Sequence, residues 1–357
     1  MKRFFYWCSL AVLATCVGGC GKDSEADSAA SSAPADCVDF GAVMHDGIAG
    51  IAQRDAVAAA EAAAKALEIQ PDSAEAHLLA GQAACLKEDY VQARAQFESV
   101  IKEKSLPDAL RAKAYAGRGT VEFLQHDADS ARISFLQARR LDFHNGAALY
   151  YLGLIYRDVY RFYEAAEEHF SMFARMSKPD DPLARKVNYE VVPELRRMLA
   201  SLAAARPGAS SGNASLAASL IQEAQLLEKD RNTLSEAVKK YAAARKADSQ
   251  SDVAARGYAR LVKTVEKSKE GARKAIQAYC DVISLKPGVL SNYLEAAHLA
   301  RDYEPEFRIQ AVEIMNRAVA HHPESKDALD QLIAALRKTG NTKLASSWAE
   351  YRKDLGR

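Results

Sequence analysis

Three sets of residues in this chain have side chains able to do chemistry: a serine framed by glycines, a pair of histidines, and the cysteines. Residues 208–212 read GASSG, which fits the G-x-S-x-G pattern in which a strand-to-helix turn lifts a serine hydroxyl into the open. The surrounding RPGASSGNAS collects Pro, Gly, Ser and Asn with no apolar spacing, so no strand or helix is at hand to build that turn, and the stretch reads as a linker. His321 and His322 are neighbours in sequence, and adjacent residues do not converge on one metal as i, i+4 pairs do; they read as a solvated helix end. No HExxH, phosphate-binding loop or dinucleotide glycine pattern is present. Neither catalysis nor a cofactor is expected. The 48 Lys and Arg nearly cancel 47 Asp and Glu, which argues against nucleic acid as a main partner.

Cys8, Cys16 and Cys20 crowd the first twenty residues. Lys2 and Arg3 precede an uncharged run from Phe4 to Gly21. A basic start, an apolar middle and a small-residue exit make an export signal, too short for a permanent anchor. VGGC, residues 17–20, resembles the lipobox of bacterial lipoproteins: an aliphatic residue, two small ones, then the cysteine that is lipidated and becomes the new N-terminus. LATC, residues 13–16, is a weaker match because Thr15 is bulky beside the cut, and Cys8 is discarded either way. The resemblance implies a leader over residues 1–19 and several acyl chains on Cys20, which hold a protein durably where one chain would not. With Gly21 rather than Asp after the cysteine, it also implies the outer membrane, on the periplasmic face. Residues 20–36 are rich in Ser, Ala and Asp and form a tether with a mean reach on the order of 20 Å.

The rest of the chain repeats. Segments starting at Phe40, Ala74, Ala112 and Gly146 each place a glycine eighth (Gly47, Gly81, Gly119, Gly153) and an alanine near position 20 (Ala59, Ala93, Ala131, Ala166). Four residues after that alanine stand Ala63, Phe97, Phe135 and Phe170. Small residues let two helices cross at about 8–10 Å, and the aromatic fills the gap to the next pair. This resembles the tetratricopeptide repeat, paired antiparallel helices recurring about every 34 residues. The starts are 34, 38 and 34 residues apart, and the fourth unit needs one extra residue in its turn. After two capping helices broken near Pro193, a linker at 206–215 separates this array (37–205) from a second (216–357). There the pattern is fainter: Ala237/Tyr241, Ala275/Tyr279 and Ala311/Met315 recur, but position 8 holds Gln225, Lys263, Leu299 and Ile333, so wider splay is expected. The expected fold is an all-α solenoid of seven to eight hairpins.

In such repeats the first helices line a concave face through positions 2, 5, 9, 12 and 13. The fourth unit places Ala147, Tyr150, Leu154, Arg157 and Asp158 there, with Tyr160 close by, and the third adds Lys113, Thr120 and Phe123. Aromatic rings and Arg make interface hot spots. Tyr151, Tyr156 and Tyr163 instead fit packing slots. The Lys and Asn set of the family's carboxylate clamp is incomplete, because no Asn pair accompanies Lys113 and Arg118. An oxidising envelope would let Cys37, beside the first repeat, pair with Cys85 in the second, while Cys280 reads as buried and inert. The architecture resembles pilotin and assembly-factor lipoproteins of pilus secretins and outer-membrane barrels. It implies a non-enzymatic, membrane-tethered scaffold for other envelope proteins. The alternative is a glycan- or nutrient-binding lipoprotein, which would need exposed Trp platforms; beyond the leader the chain has only Trp348.

Overall fold

The computed structural model describes residues 39–204, 213–302 and 305–356, and every regular element among them is helical. The chain divides into two compact units, the first comprising residues up to Arg161 with Ala166–Val192, the second Phe162–Ala165 with Pro193–Arg357. The first unit holds the hairpins α1 (Phe40–Gln53) with α2 (Ala56–Ile69), α3 (Ala74–Leu86) with α4 (Tyr90–Lys102), and α5 (Asp108–Leu124) with α6 (Ala128–Leu141). A fourth pairs α7 (Gly146–Leu154) with α8 (Tyr163–Met176), followed by the short α9 (Pro182–Lys186). In the second unit, after α10 (Val192–Ala204), the hairpins are α11 (Ala214–Leu227) with α12 (Leu234–Ala247) and α13 (Asp252–Val265) with α14 (Lys269–Leu285). The last two are α15 (Leu290–Asp302) with α16 (Arg308–His321) and α17 (Lys326–Lys338) with α18 (Thr342–Asp354). The described residues thus form eight hairpins, the upper end of the expected range.

Local sequence sets the helix ends. Asp39, Asp55, Ser73, Asp89, Asp127 and Asn145 cap α1–α4, α6 and α7 of the first unit, each accepting a hydrogen bond from a backbone N–H of the first turn, while α5 follows Pro107 with no side-chain cap. Asn213, Ser251, Ser268, Ser325 and Asn341 do the same in the second. Each such cap contributes about 1 kcal/mol. The four turns that close the first-unit hairpins each use one left-handed residue, Arg54, Glu88, His126 and Arg161, at spacings of 34, 38 and 35. The extra residue in the last interval is absorbed by a π-turn over Ile155–Tyr160, which holds one more residue per turn than an α-helix.

Packing follows the small-residue pattern. Phe97 is gripped between two first helices: a Cβ on Gly81 would lie 2.6 Å from its ring, and one on Gly117 2.5 Å. Phe135 and Phe170 press in the same way on Gly119 and Gly153.

The second unit departs from expectation. Gln225 is exposed and Lys263 half-buried, while Ala224 and Val262 beside them are fully buried, so the crossing register lies one residue earlier than a strict count puts it. Successive hairpins approach closely here, since a Cβ on Gly257 of α13 would come within 2.4 Å of the Tyr241 ring of α12. Pro193 does not break its helix. A second π-turn, Val187–Val191, stands immediately before it, where the missing N–H and the clash of the ring with the preceding turn would otherwise disrupt the ladder. Pro193 onward belongs to the second unit rather than capping the first. Of the expected linker, Asn213 caps α11, and Ala214 and Ser215 are its first helical residues; the rest, like the leader, Cys20 and the tether, lies outside the described residues. Among the described residues no helix is long and apolar enough to cross a membrane.

Candidate protein-binding site

The expected concave-face residues of the fourth hairpin are largely core. Tyr150 is 6% exposed and packs its ring on Tyr151, Phe170 and Phe173, with centroids 5.4–5.9 Å apart; Leu154 is 4% exposed. The cause is visible in GAALYYLGL, which has no charged or amide side chain on any face, and a helix so nearly apolar all round is buried all round. Tyr151 and Tyr156 are fully buried, as their packing slots require, and Tyr163 is half-buried. Thr120 is fully buried and donates its hydroxyl back to the Ala116 carbonyl at 3.0 Å. Phe123 lies edge-on to Tyr151 at 5.3 Å, while Lys113 remains half-buried on α5.

Arg157 and Tyr160 reach the surface on the π-turn but are internally engaged. Arg157 makes a bidentate pair with Asp158 at 2.6 and 2.8 Å. Tyr160 donates its hydroxyl to Asp129 and lays its ring 4.4 Å from the guanidinium carbon of Arg132, which is fully buried. Burial raises the Tyr160 phenol above its usual range.

Cys85 sits with Leu78, Phe97, Val100, Ala114 and Val121, on the side of α3 that faces α5, whereas Ala76, Leu79 and Ala83 face the first hairpin. The expected bridge from Cys85 to Cys37 falls on a residue that lies outside the described residues. Burial pushes the Cys85 thiol up to about 12. Cys280 is half-buried rather than buried, its thiol raised to about 11 mainly by burial, and it lines a cleft of about 140 Å³ between α14 and α16 with Ile276, Gln277 and Tyr293. His321 and His322 are likewise half-buried, with the Tyr293 ring 6.4 Å from each. Among the described residues no cluster of His, Cys, Asp and Glu could hold a metal.

A polar stripe on α5 stands out against these packed surfaces. Arg111, Tyr115, Arg118 and Glu122 recur at i, i+4, i+7 and i+11 and therefore share one helix face. Arg118 Nε donates to Ser134 Oγ of α6 at 3.1 Å and lies 3.7 Å from Glu122 Oε1, while Ser134 Oγ donates to Glu122 Oε2 at 2.5 Å. The Arg118 guanidinium also stacks 5.0 Å from the Tyr115 ring. From α4, Arg94 donates to Gln125 at 3.2 Å and adds positive potential at Glu122. Burial holds the Glu122 carboxyl above the ordinary range, against the pull of Arg118. Sequence reasoning noted Arg118 only as half of an incomplete clamp. The signal was available: at the two slots filled by Arg118 and Glu122, the second repeat has Ala80 and Ala84, and the fourth has Leu152 and Tyr156.

No family model matches the chain. A stretch of 94 residues, 25% of this chain, is 39% identical to superkiller complex protein 3 of Mus musculus, of whose length it spans 6%. Among solved structures, the chain is similar to a tetratricopeptide repeat protein from Parabacteroides merdae at 11% identity, covering 83% of this chain and 98% of that one with a TM-score of 0.33. It is similar also to the TPR2AB domain of yeast Sti1, from a complex with pHSP90, at 13% identity over 89% and 98% of the two chains, with a TM-score of 0.26. Cut9–Hcn1 of the APC/C follows at 13% identity, 88% and 79% coverage and a TM-score of 0.29. With overlays this loose, the class of the protein, a helical-hairpin repeat of tetratricopeptide type, rests on its own Gly–aromatic crossings and hairpin turns.

Proposed function

We propose that this protein is a non-enzymatic scaffold, tethered by lipid at Cys20, that binds other cell-envelope proteins and serves the assembly of a pilus secretin or another outer-membrane complex. The observation that supports binding most directly is the α5 stripe. Positions that neighbouring repeats fill with apolar side chains hold a guanidinium stacked on an aromatic ring and hydrogen-bonded along one edge, an arrangement that weakens a core but suits a hot spot. The alternative of a glycan receptor lacks its platform, because Trp348 is fully buried and packs edge-on to Tyr351 at 5.6 Å. The test is a photoreactive residue at Tyr115 in living cells, combined with fractionation of Cys20→Ala. The proposal expects a crosslinked envelope protein and release of the variant from membranes. A variant that stays membrane-bound would remove the lipid anchor from the reading, and a chain that captures no protein but is stabilised by a glycan would move it to the receptor class.

A further inference from the structure

We propose that the α5 stripe is a docking site for an acidic peptide segment of the partner, with one carboxylate received by Arg118 and a second by Arg111. The inference rests on the scaffold reading above and names the chemistry of what the scaffold holds. Arg118 is fixed before any partner arrives. Its Nε is engaged by Ser134 and Glu122, its face lies on Tyr115, and its side chain is 22% exposed. The two terminal nitrogens make no hydrogen bond within the described residues, so the outer edge of the fork is turned to a bidentate acceptor, the geometry that a carboxylate matches and a lone ammonium cannot.

The charge around it fits the same ligand. Arg94, Arg111 and Arg118 stand with three carboxylates: Asp108, which pairs with Arg111, Glu122, which is buried beneath Arg118 and turned inward to Ser134, and Asp127, which adds negative potential at Glu122. Arg111 is also 20% exposed, and its Nε is buried without a partner. Seven residues separate the two arginines along α5, a rise of about 10 Å. A peptide in the polyproline II conformation advances about 3.1 Å per residue with three residues per turn, so carboxylates three residues apart share one face, about 9 Å apart, and match the two guanidinia. The stripe lies between α4 and α6, which reach it through Arg94 and Ser134, and Lys113 is not on it; the site is therefore distinct from the expected concave face.

Titration of the full-length chain with a fluorescent synthetic Pro-rich peptide of polyproline II conformation, bearing two Asp three residues apart, tests the assignment directly. The peptide is expected to bind, its Asn-substituted counterpart to bind at least tenfold more weakly, and added salt to reduce the difference. Arg118→Ala should weaken binding at least tenfold, Arg118→Lys should fail to restore it, and Arg111→Ala should reduce it severalfold while helical content is unchanged. Because Arg118→Ala leaves Glu122 without its cation and could perturb folding, the Arg111 variant and the Asn peptide each decide the matter separately. Equal affinity for the Asp and Asn peptides, or no binding of either, would overturn the acidic-segment assignment. It would leave the scaffold reading standing wherever the crosslink at Tyr115 still captures a protein.

Discussion

Gly117→Ala should destabilise the first unit through one contact, the Phe97 ring. A Cβ at position 117 would meet Phe97 Cε1 and Cζ, both at 2.5 Å, well inside any real carbon–carbon contact. An isolated ring would simply shift. Phe97 cannot, because its other side lies against Gly81, where a Cβ would already be 2.6 Å away, and the ring is 1% exposed. Overpacking of this kind costs about 1–3 kcal/mol. The change from Gly to Ala within a helix returns about 1 kcal/mol of propensity, leaving a net loss of up to about 2 kcal/mol. At roughly 2–4 °C per kcal/mol for a unit of this size, thermal unfolding followed by circular dichroism should shift down by up to about 8 °C. The decisive control is Phe97→Leu. In that background the ring is gone, and Gly117→Ala should become neutral or stabilising, giving a coupling energy of about 1–3 kcal/mol. A stabilising Gly117→Ala in the native background, or the same effect with and without the ring, would refute the argument that Phe97 clamps successive hairpins together.

Three further outcomes follow from named groups. Burial, assisted by Arg317 and His322 and opposed by Glu164, pulls His321 down from 6.5 to about 4, so the unfolded chain binds the extra proton first. Its stabilising contribution is then complete above about pH 6.5 and lost as pH falls toward 4, by up to about 3 kcal/mol; urea midpoints of wild type minus His321→Gln should show that slope, and a flat difference would refute it. Cys85, with its thiol at about 12, should resist iodoacetamide at neutral pH at least a hundredfold relative to the unfolded chain, as read by mass spectrometry. Gly340 has φ +83 with open space around it, so Gly340→Ala should cost about 1 kcal/mol through backbone strain alone, measurable in urea, whereas substitution by Asn should cost less.

How much of this was legible in the sequence depends on which interaction fixed each feature. The first-unit hairpins were legible because Gly81, Gly119, Phe97, Phe135 and their equivalents are dictated by helix–helix distance, and residue type reports that constraint without knowledge of neighbours. Even the irregularities left a trace, since the fourth unit's surplus residue reappears as the π-turn at Ile155–Tyr160. The second unit was less legible because Ala224 and Val262 reach the crossings one residue out of count, and Gly257 meets Tyr241 of the preceding hairpin rather than holding the eighth position of its own.

The binding site was read least well, for a reason the two candidate surfaces make plain. Repeat positions assign a side chain to a face of its own hairpin, but exposure is decided by what else packs there. Tyr150 and Leu154 occupy groove positions in the repeat, yet no charged or amide residue interrupts Ala147–Leu154, so burying that helix completely gains more than leaving a groove open. On α5 the balance runs the other way. Arg118 and Glu122 stand in packing slots, where a charged pair costs desolvation that apolar residues would not. They are tolerated because Ser134 satisfies both and because Arg118 keeps one edge in water. A partner carboxylate arriving at that edge meets a guanidinium whose rotamer is already fixed, so less ordering opposes binding than at a free surface arginine. The residues that most weaken the core of the third hairpin are thus the ones best prepared to bind.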